Sequence, residues 1–174
     1  MFSDWPWRHW RQLRGEAQAL RLNDRLLTWR ELCARVDALA AGFAAQGVME
    51  GHGVALRAYN QPETLLAWLA LLQCGARVLP LNPQLPEVLL QELLPALTVQ
   101  HQLVLNGAAL PGDLPALTLQ AAEGVHAVCW HGERLVSMTL TSGSTGLPKA
   151  AVHSASAHLA SAAGVLALMP FAAE

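Results

Sequence analysis

Thr141-Ser142-Gly143-Ser144-Thr145-Gly146-Leu147-Pro148-Lys149 puts four hydroxyls, two glycines and a lysine into nine consecutive positions. Lys149 is the sole lysine among 11 basic residues. The stretch follows Leu135 to Leu140, an apolar run that reads as a buried strand. Glycine lets a backbone come close to a ligand and adopt conformations other residues avoid. Successive amides and hydroxyls then make a donor-rich hollow suited to phosphate oxygens, and lysine adds a mobile point charge. Two familiar phosphate loops do not fit. Walker A requires G-x-x-x-x-G-K-[ST], but Pro148 stands where the second glycine belongs and Ala150 follows Lys149. The dinucleotide pattern G-x-G-x-x-G fails because Gly143 and Gly146 have no third glycine at the required spacing. A plain solvated Ser/Gly loop has the same composition, so the hydroxyl and glycine run alone leaves that reading open.

Outward from this loop, the chain alternates strands and helices. Upstream, Val125 to Trp130 and Gln102 to Leu105 read as strands, and Arg77 to Leu81 and Val54 to Ala58 as two more. Between them, Pro86 opens a helix with Leu89, Leu90, Leu93 and Leu94. Pro62 opens another, apolar nearly all round and so expected to be buried. Thr28 and Glu31 form a capping box ahead of the stripe Leu32, Val36, Leu39, Ala40 and Phe43. Ala19 to Leu22 and Leu26-Leu27 flank Asn23-Asp24 as a hairpin. Ser3-Asp4 begins a first helix, whose Trp7, Trp10 and Leu13 are expected to pack on the domain. Downstream, Ser154 caps a last helix carrying Leu159, Ala162, Ala163 and Leu166. This alternation predicts an α/β fold, a largely parallel sheet flanked by helices.

Composition narrows the class. The chain has 174 residues, a net charge of −2, 53% hydrophobic and 14% charged residues. That is ample apolar side chain for one core and excludes disorder. The most apolar run, Leu65 to Leu72, is far short of the roughly 18 residues a spanning helix needs. No signal peptide is visible at the start. Cys33, Cys74 and Cys129 are odd in number and widely spaced, which fits free thiols in a reducing, cytoplasmic setting. Seven of the ten arginines lie in the first 35 residues, interleaved with Asp4, Glu16, Asp24 and Glu31. That segment reads as a solvated helix face and not as a nucleic-acid footprint. His126, Cys129 and His131 have no second ligand cluster, so no metal site is expected.

The nine-residue pattern, written [T]-S-G-[ST]-T-G-x-P-K, resembles the phosphate loop of the adenylate-forming enzymes: acyl- and aryl-CoA synthetases, peptide-synthetase adenylation domains and luciferases. Thr28-Trp29-Arg30-Glu31-Leu32, Gly53-Val54, Asn60-Gln61-Pro62-Glu63, Gly75-Ala76 and Pro80-Leu81-Asn82-Pro83 resemble the same family in the right order. The tryptophan run Ser3 to Gln12, Leu66 to Pro80 and Ser137 to His153 narrow the likeness to the enterobacterial CoA ligases of menaquinone biosynthesis. The resemblance implies a two-step reaction. A small-molecule carboxylic acid attacks the α-phosphate of MgATP, and coenzyme A then displaces AMP to give a thioester. It implies that Thr141, Ser142, Gly143, Ser144, Thr145, Gly146 and Lys149 hold the β- and γ-phosphates. Ala155 departs from the aromatic or histidine of many relatives, and His158 matches a histidine of near ones with no assigned role.

The resemblance also implies that residues 1–174 are an incomplete N-terminal AMP-binding domain, the family's C-terminal domain being absent. The expectation is then a chain with no catalytic residue of its own, inactive as a ligase when taken alone. Two other readings stay open: a fragment of a different acyl-CoA synthetase, and a stand-alone nucleotide-binding or interaction module. Oligomeric state is not legible in the sequence.

Overall fold

The computed structural model describes residues 2–142, 146 and 148–169. Helix α1 (Pro6–Arg14) leads into the hairpin β1 (Gln18–Leu22) and β2 (Arg25–Thr28). Asn23 makes the hairpin turn at φ 54°, a left-handed conformation that asparagine tolerates. Helix α2 (Trp29–Ala45) follows, then β3 (Gly53–Arg57), α3 (Pro62–Gln73), β4 (Arg77–Leu81) and α4 (Glu87–Leu93) with a 3-10 turn over Leu94–Ala96. Strand β5 (His101–Val104) precedes a long irregular stretch. The chain closes with β6 (Leu135–Thr141), β7 (Lys149–Ser154) and α5 (Ala155–Leu168).

Five strands form one sheet in the order β5-β3-β4-β6-β7. β5, β3, β4 and β6 run parallel, and β7 turns back antiparallel to β6. All five residues of β3 are buried, as expected of a central strand covered on both faces. Val54 and Leu56 face one side and join Val36, Ala40 and Phe43 of α2 and Leu66, Ala67, Ala70 and Leu71 of α3. Ala55, Leu79, Leu81 and Met138 face the other side and meet Leu90 and Leu94. The helix after β3 therefore covers one face and the helix after β4 the opposite one.

The capping box forms as expected: Glu31 N–H donates to Thr28 Oγ1 at 3.2 Å, and Thr28 N–H donates to a Glu31 carboxylate oxygen at 3.0 Å. Ser154 caps α5 through the Ala157 N–H. At α1, the residue flanking the helix is Trp5, one beyond the expected Ser3-Asp4 start. Asp4 takes the Trp5 N–H at 2.7 Å.

Three expectations change. Val125 to Trp130 is not a strand. Its backbone groups are satisfied from helices: Val128 N–H donates to the Gln73 carbonyl, the Val128 carbonyl accepts Trp5 Nε1–H, and the His126 carbonyl accepts Gln73 Nε2–H. With those partners supplied, no neighbouring strand is needed. Helix α3 is only partly buried. Leu65, Trp68, Leu69 and Leu72 border an apolar depression of about 320 Å³ that Trp5, Trp7, Trp130 and Leu159 complete. The amino-terminal arginines are not all a solvated face. Arg8 and Arg11 bond the buried Asp37 carboxylate at 3.1 and 3.0 Å. Gln73 Nε2–H joins them at 2.8 Å, and Trp7 Nε1–H donates to Gln73 Oε1 at 2.9 Å. This network moors α1 to α2 and α3, with the Trp5 and Trp7 rings stacked 5.2 Å apart.

Among the described residues no helix is long and apolar enough to cross a membrane. Cys33 and Cys74 are buried free thiols, and Cys129 is an exposed one.

Candidate functional site

Parallel strands β3, β4 and β6 present their carboxyl ends along one edge of the sheet, where open α/β sheets bind ligands. The hydroxyl- and glycine-rich stretch leaves β6 at that edge. Thr141 is its last strand residue and Lys149 the first of β7, and the two face each other in register. Thr141 Oγ1 donates to the Lys149 carbonyl at 3.1 Å, clamping the base of the turn. Five further residue pairs, down to Leu135 opposite Ser154, hold the hairpin in register. The lysine is therefore carried by a ladder and not by a free loop.

Thr141, Ser142, Gly146 and Lys149 are all exposed; the Thr141 hydroxyl is already bonded to the Lys149 carbonyl, and the exposure leaves Ser142 and Lys149 open to a ligand. Gly146 sits at φ 100° with nothing within 4 Å of the place a Cβ would occupy. Glycine there answers to backbone conformation and not to crowding. Of the expected site residues, Gly143, Ser144 and Thr145 lie outside the described residues. Thr141, Ser142, Gly146 and Lys149 are gathered at the tip of the β6–β7 hairpin.

The base of the hairpin holds a polar group that sequence reasoning left without a role. Ser137 Oγ and His158 Nε2 lie 2.7 Å apart, joining β6 to the first turns of α5. His153, the register partner of Ser137, has its ring centroid 5.5 Å from that of His158. His158, exposed on α5, thus has a hydroxyl partner on β6. Serine in a strand carries no signal of a contact 21 residues away. A second depression, of about 260 Å³, opens at the carboxyl ends of β3 and β4 beside the hairpin. Tyr59, Asn60, Thr64 and Asn82 line it, and sequence reasoning did not mark them as site residues.

Magnesium needs oxygen donors, commonly carboxylates. The 141–149 stretch has none, and among the described residues no group of three or more His, Cys, Asp or Glu could hold a metal. His126, Cys129 and His131 do not form one.

Residues 7–172 match the family model described as AMP-binding enzyme. The chain is 70% identical over 171 residues to 2-succinylbenzoate--CoA ligase of Escherichia coli K12, covering 98% of this chain and 38% of that protein. It is 67% identical over 170 residues to the protein of that name from Salmonella typhimurium LT2, covering 98% and 37%. Among solved structures it is similar to wild-type E. coli MenE with a bound m-phenylether-linked analogue of OSB-AMS. The TM-score there is 0.93 at 68% identity, over 98% of this chain and 38% of that one. The chain thus spans well under half the length of these relatives.

Proposed function

The chain belongs to the AMP-binding enzyme family, and from that premise we propose that it is the amino-terminal, phosphate-holding portion of an ATP-dependent acid–CoA ligase. The reaction is 2-succinylbenzoate with ATP and coenzyme A to succinylbenzoyl-CoA, AMP and pyrophosphate, a step of menaquinone biosynthesis. The observation that carries this reading is the nine-position match at the tip of the β6–β7 hairpin, inside a chain 70% identical to a 2-succinylbenzoate–CoA ligase.

In this reading Ser142, Ser144 and Thr145 donate hydroxyl hydrogen bonds to the β- and γ-phosphates, and Thr141 joins them once its hydroxyl turns from the Lys149 carbonyl. The amides around Gly143 and Gly146 add theirs, and Lys149 supplies positive charge. The pyrophosphate leaves with more negative charge on its bridging oxygen than ATP carried there. Donors held in place beforehand lower the barrier because they need no reorganisation as that charge appears. Holding the triphosphate also fixes the α-phosphorus for attack by the acid. Magnesium would enter with the nucleotide and offset phosphate charge; the 141–149 stretch has no carboxylate that would hold it. The choice of 2-succinylbenzoate rests on the relatives alone. Three free thiols support a cytoplasmic location.

A chimera tests the proposal. The matching amino-terminal part of the E. coli ligase is replaced by this chain, and thioester formation from 2-succinylbenzoate, ATP and coenzyme A is followed. Activity near that of the parent supports the reading. A folded chimera that binds the acid but forms no adenylate contradicts it.

A further inference from the structure

At the end of the sheet opposite the phosphate loop, two histidines from distant parts of the chain touch. His52 immediately precedes β3, and His101 opens β5, the edge strand that pairs with β3. His52 Nδ1 and His101 Nε2 are 3.1 Å apart, with ring centroids 5.2 Å apart and planes inclined by 37°. His101 is 7% exposed, and its Nδ1 is buried with no partner. We infer that this pair is a proton-sensitive clasp, which holds the amino end of β5 on β3 when neutral and releases it when protonated.

The hydrogen-bond pattern explains why a proton breaks it. Met49 N–H donates to His52 Nδ1 at 3.3 Å, which makes that nitrogen an acceptor. In the matching tautomer His101 gives its Nε2 proton to the same nitrogen, which leaves its buried Nδ1 without a partner. A proton added to His52 Nδ1 would face two other donors. A proton added to His101 Nδ1 would leave a cation buried beside a neighbouring imidazole. Neither site accepts a proton without loss. Burial first, and the neighbouring His52 second, hold the His101 imidazole below its ordinary value, while the Gly47 backbone acts the other way.

The charged residue beside the pair is Arg77, the first of β4, whose backbone N–H donates to the His52 carbonyl at 2.8 Å. Gln100 and Gln102 flank His101, and Gln100 Oε1 accepts the Gly53 N–H. Glu50, on the same loop as His52, is bound to Arg134 at 2.7 Å. On its outer edge β5 is covered by residues 115–117: Gln102 N–H donates to the Pro115 carbonyl, and Leu117 N–H to the Gln102 carbonyl. Release of β5 therefore loosens that segment as well.

The sign follows from linkage. A histidine held below its unfolded value contributes stability that is complete above the ordinary value near 6.5 and is lost as pH falls toward its folded value. Amide exchange in the full chain reads this directly, as opening constants corrected for the intrinsic exchange rate between about pH 7 and 5. Opening of Leu103 and Val104 should rise by up to about tenfold per pH unit through that window. The Met138 amide in β6 should stay flat. His52→Asn, which changes the more accessible partner, should weaken the pH dependence without abolishing it, because burial still holds His101 down. His101→Phe, which keeps a buried ring without a titrating nitrogen, should abolish it if it folds. A β5 opening constant that does not change with pH overturns the clasp. So does an unchanged pH response in His52→Asn, or a His101 imidazole titrating at its ordinary value.

Discussion

Replacing Asp37 by alanine should detach α1 from the rest of the molecule. Its side chain is 10% exposed, and the carboxylate receives Arg8 at 3.1 Å, Arg11 at 3.0 Å and Gln73 at 2.8 Å. Removing one partner from a buried ion pair costs about 3–5 kcal/mol, because the remaining charge is left uncompensated. Here the arginines are not sealed off: their side chains are 15% and 30% exposed, so water recovers part of the loss. We expect about 2–3 kcal/mol, discounted for that screening. At about 2–4 °C per kcal/mol for a domain of this size, the melting temperature falls by roughly 4–12 °C. Tryptophan emission is a suitable probe, because Trp7 donates to Gln73 and stacks on Trp5. Asp37→Asn keeps an acceptor but not the charge, and should lose about half as much. A loss below about 0.5 kcal/mol in Asp37→Ala, with tryptophan emission unchanged, would refute the reasoning, since only surface-pair energies would then be present.

Other consequences are simpler to read. Thr28→Ala removes the hydroxyl that accepts the Glu31 N–H and should cost about 1 kcal/mol in urea unfolding. Glu31 is held below the ordinary carboxylate value chiefly by the Thr28 N–H, so its contribution is complete above the unfolded value and fades as pH falls through the folded one. The acid limb of stability should therefore be flatter in Glu31→Gln. Burial pushes the Cys33 and Cys74 thiols up to about 11 and about 12. A thiol reagent at neutral pH should label Cys129 rapidly and the other two only after unfolding.

What the sequence disclosed was local. The capping box of Thr28 and Glu31 spans four residues, and the strand Arg77 to Leu81 is bounded by glycine and proline signals that mark its ends. Both are found where expected. The nine-residue pattern on which the proposed phosphate loop rests was legible because it occupies consecutive positions. The misreadings involve partners far apart in the chain. The amino-terminal arginines read as a solvated face, yet Arg8 and Arg11 reach Asp37, 29 and 26 residues away. Val125 to Trp130 has strand composition, but Gln73 and Trp5 satisfy its backbone groups in place of a ladder. His52 and His101 are 49 residues apart, and no spacing rule joins them. Helix α3 was expected to be covered all round; its apolar residues are matched to neighbours on one side and border an open depression on the other.

The account turns on Lys149 and the turn it closes. ATP–pyrophosphate exchange, driven by 2-succinylbenzoate in the chimera, isolates adenylation from thioester formation. Lys149→Ala should slow that exchange by about 100-fold, the scale of one charge-assisted contact to a developing negative charge. Thioester formation from preformed adenylate should stay close to the parent rate. Exchange that continues unaltered in Lys149→Ala, or a loss confined to the thioester step, would contradict the assignment of this hairpin to the ATP phosphates.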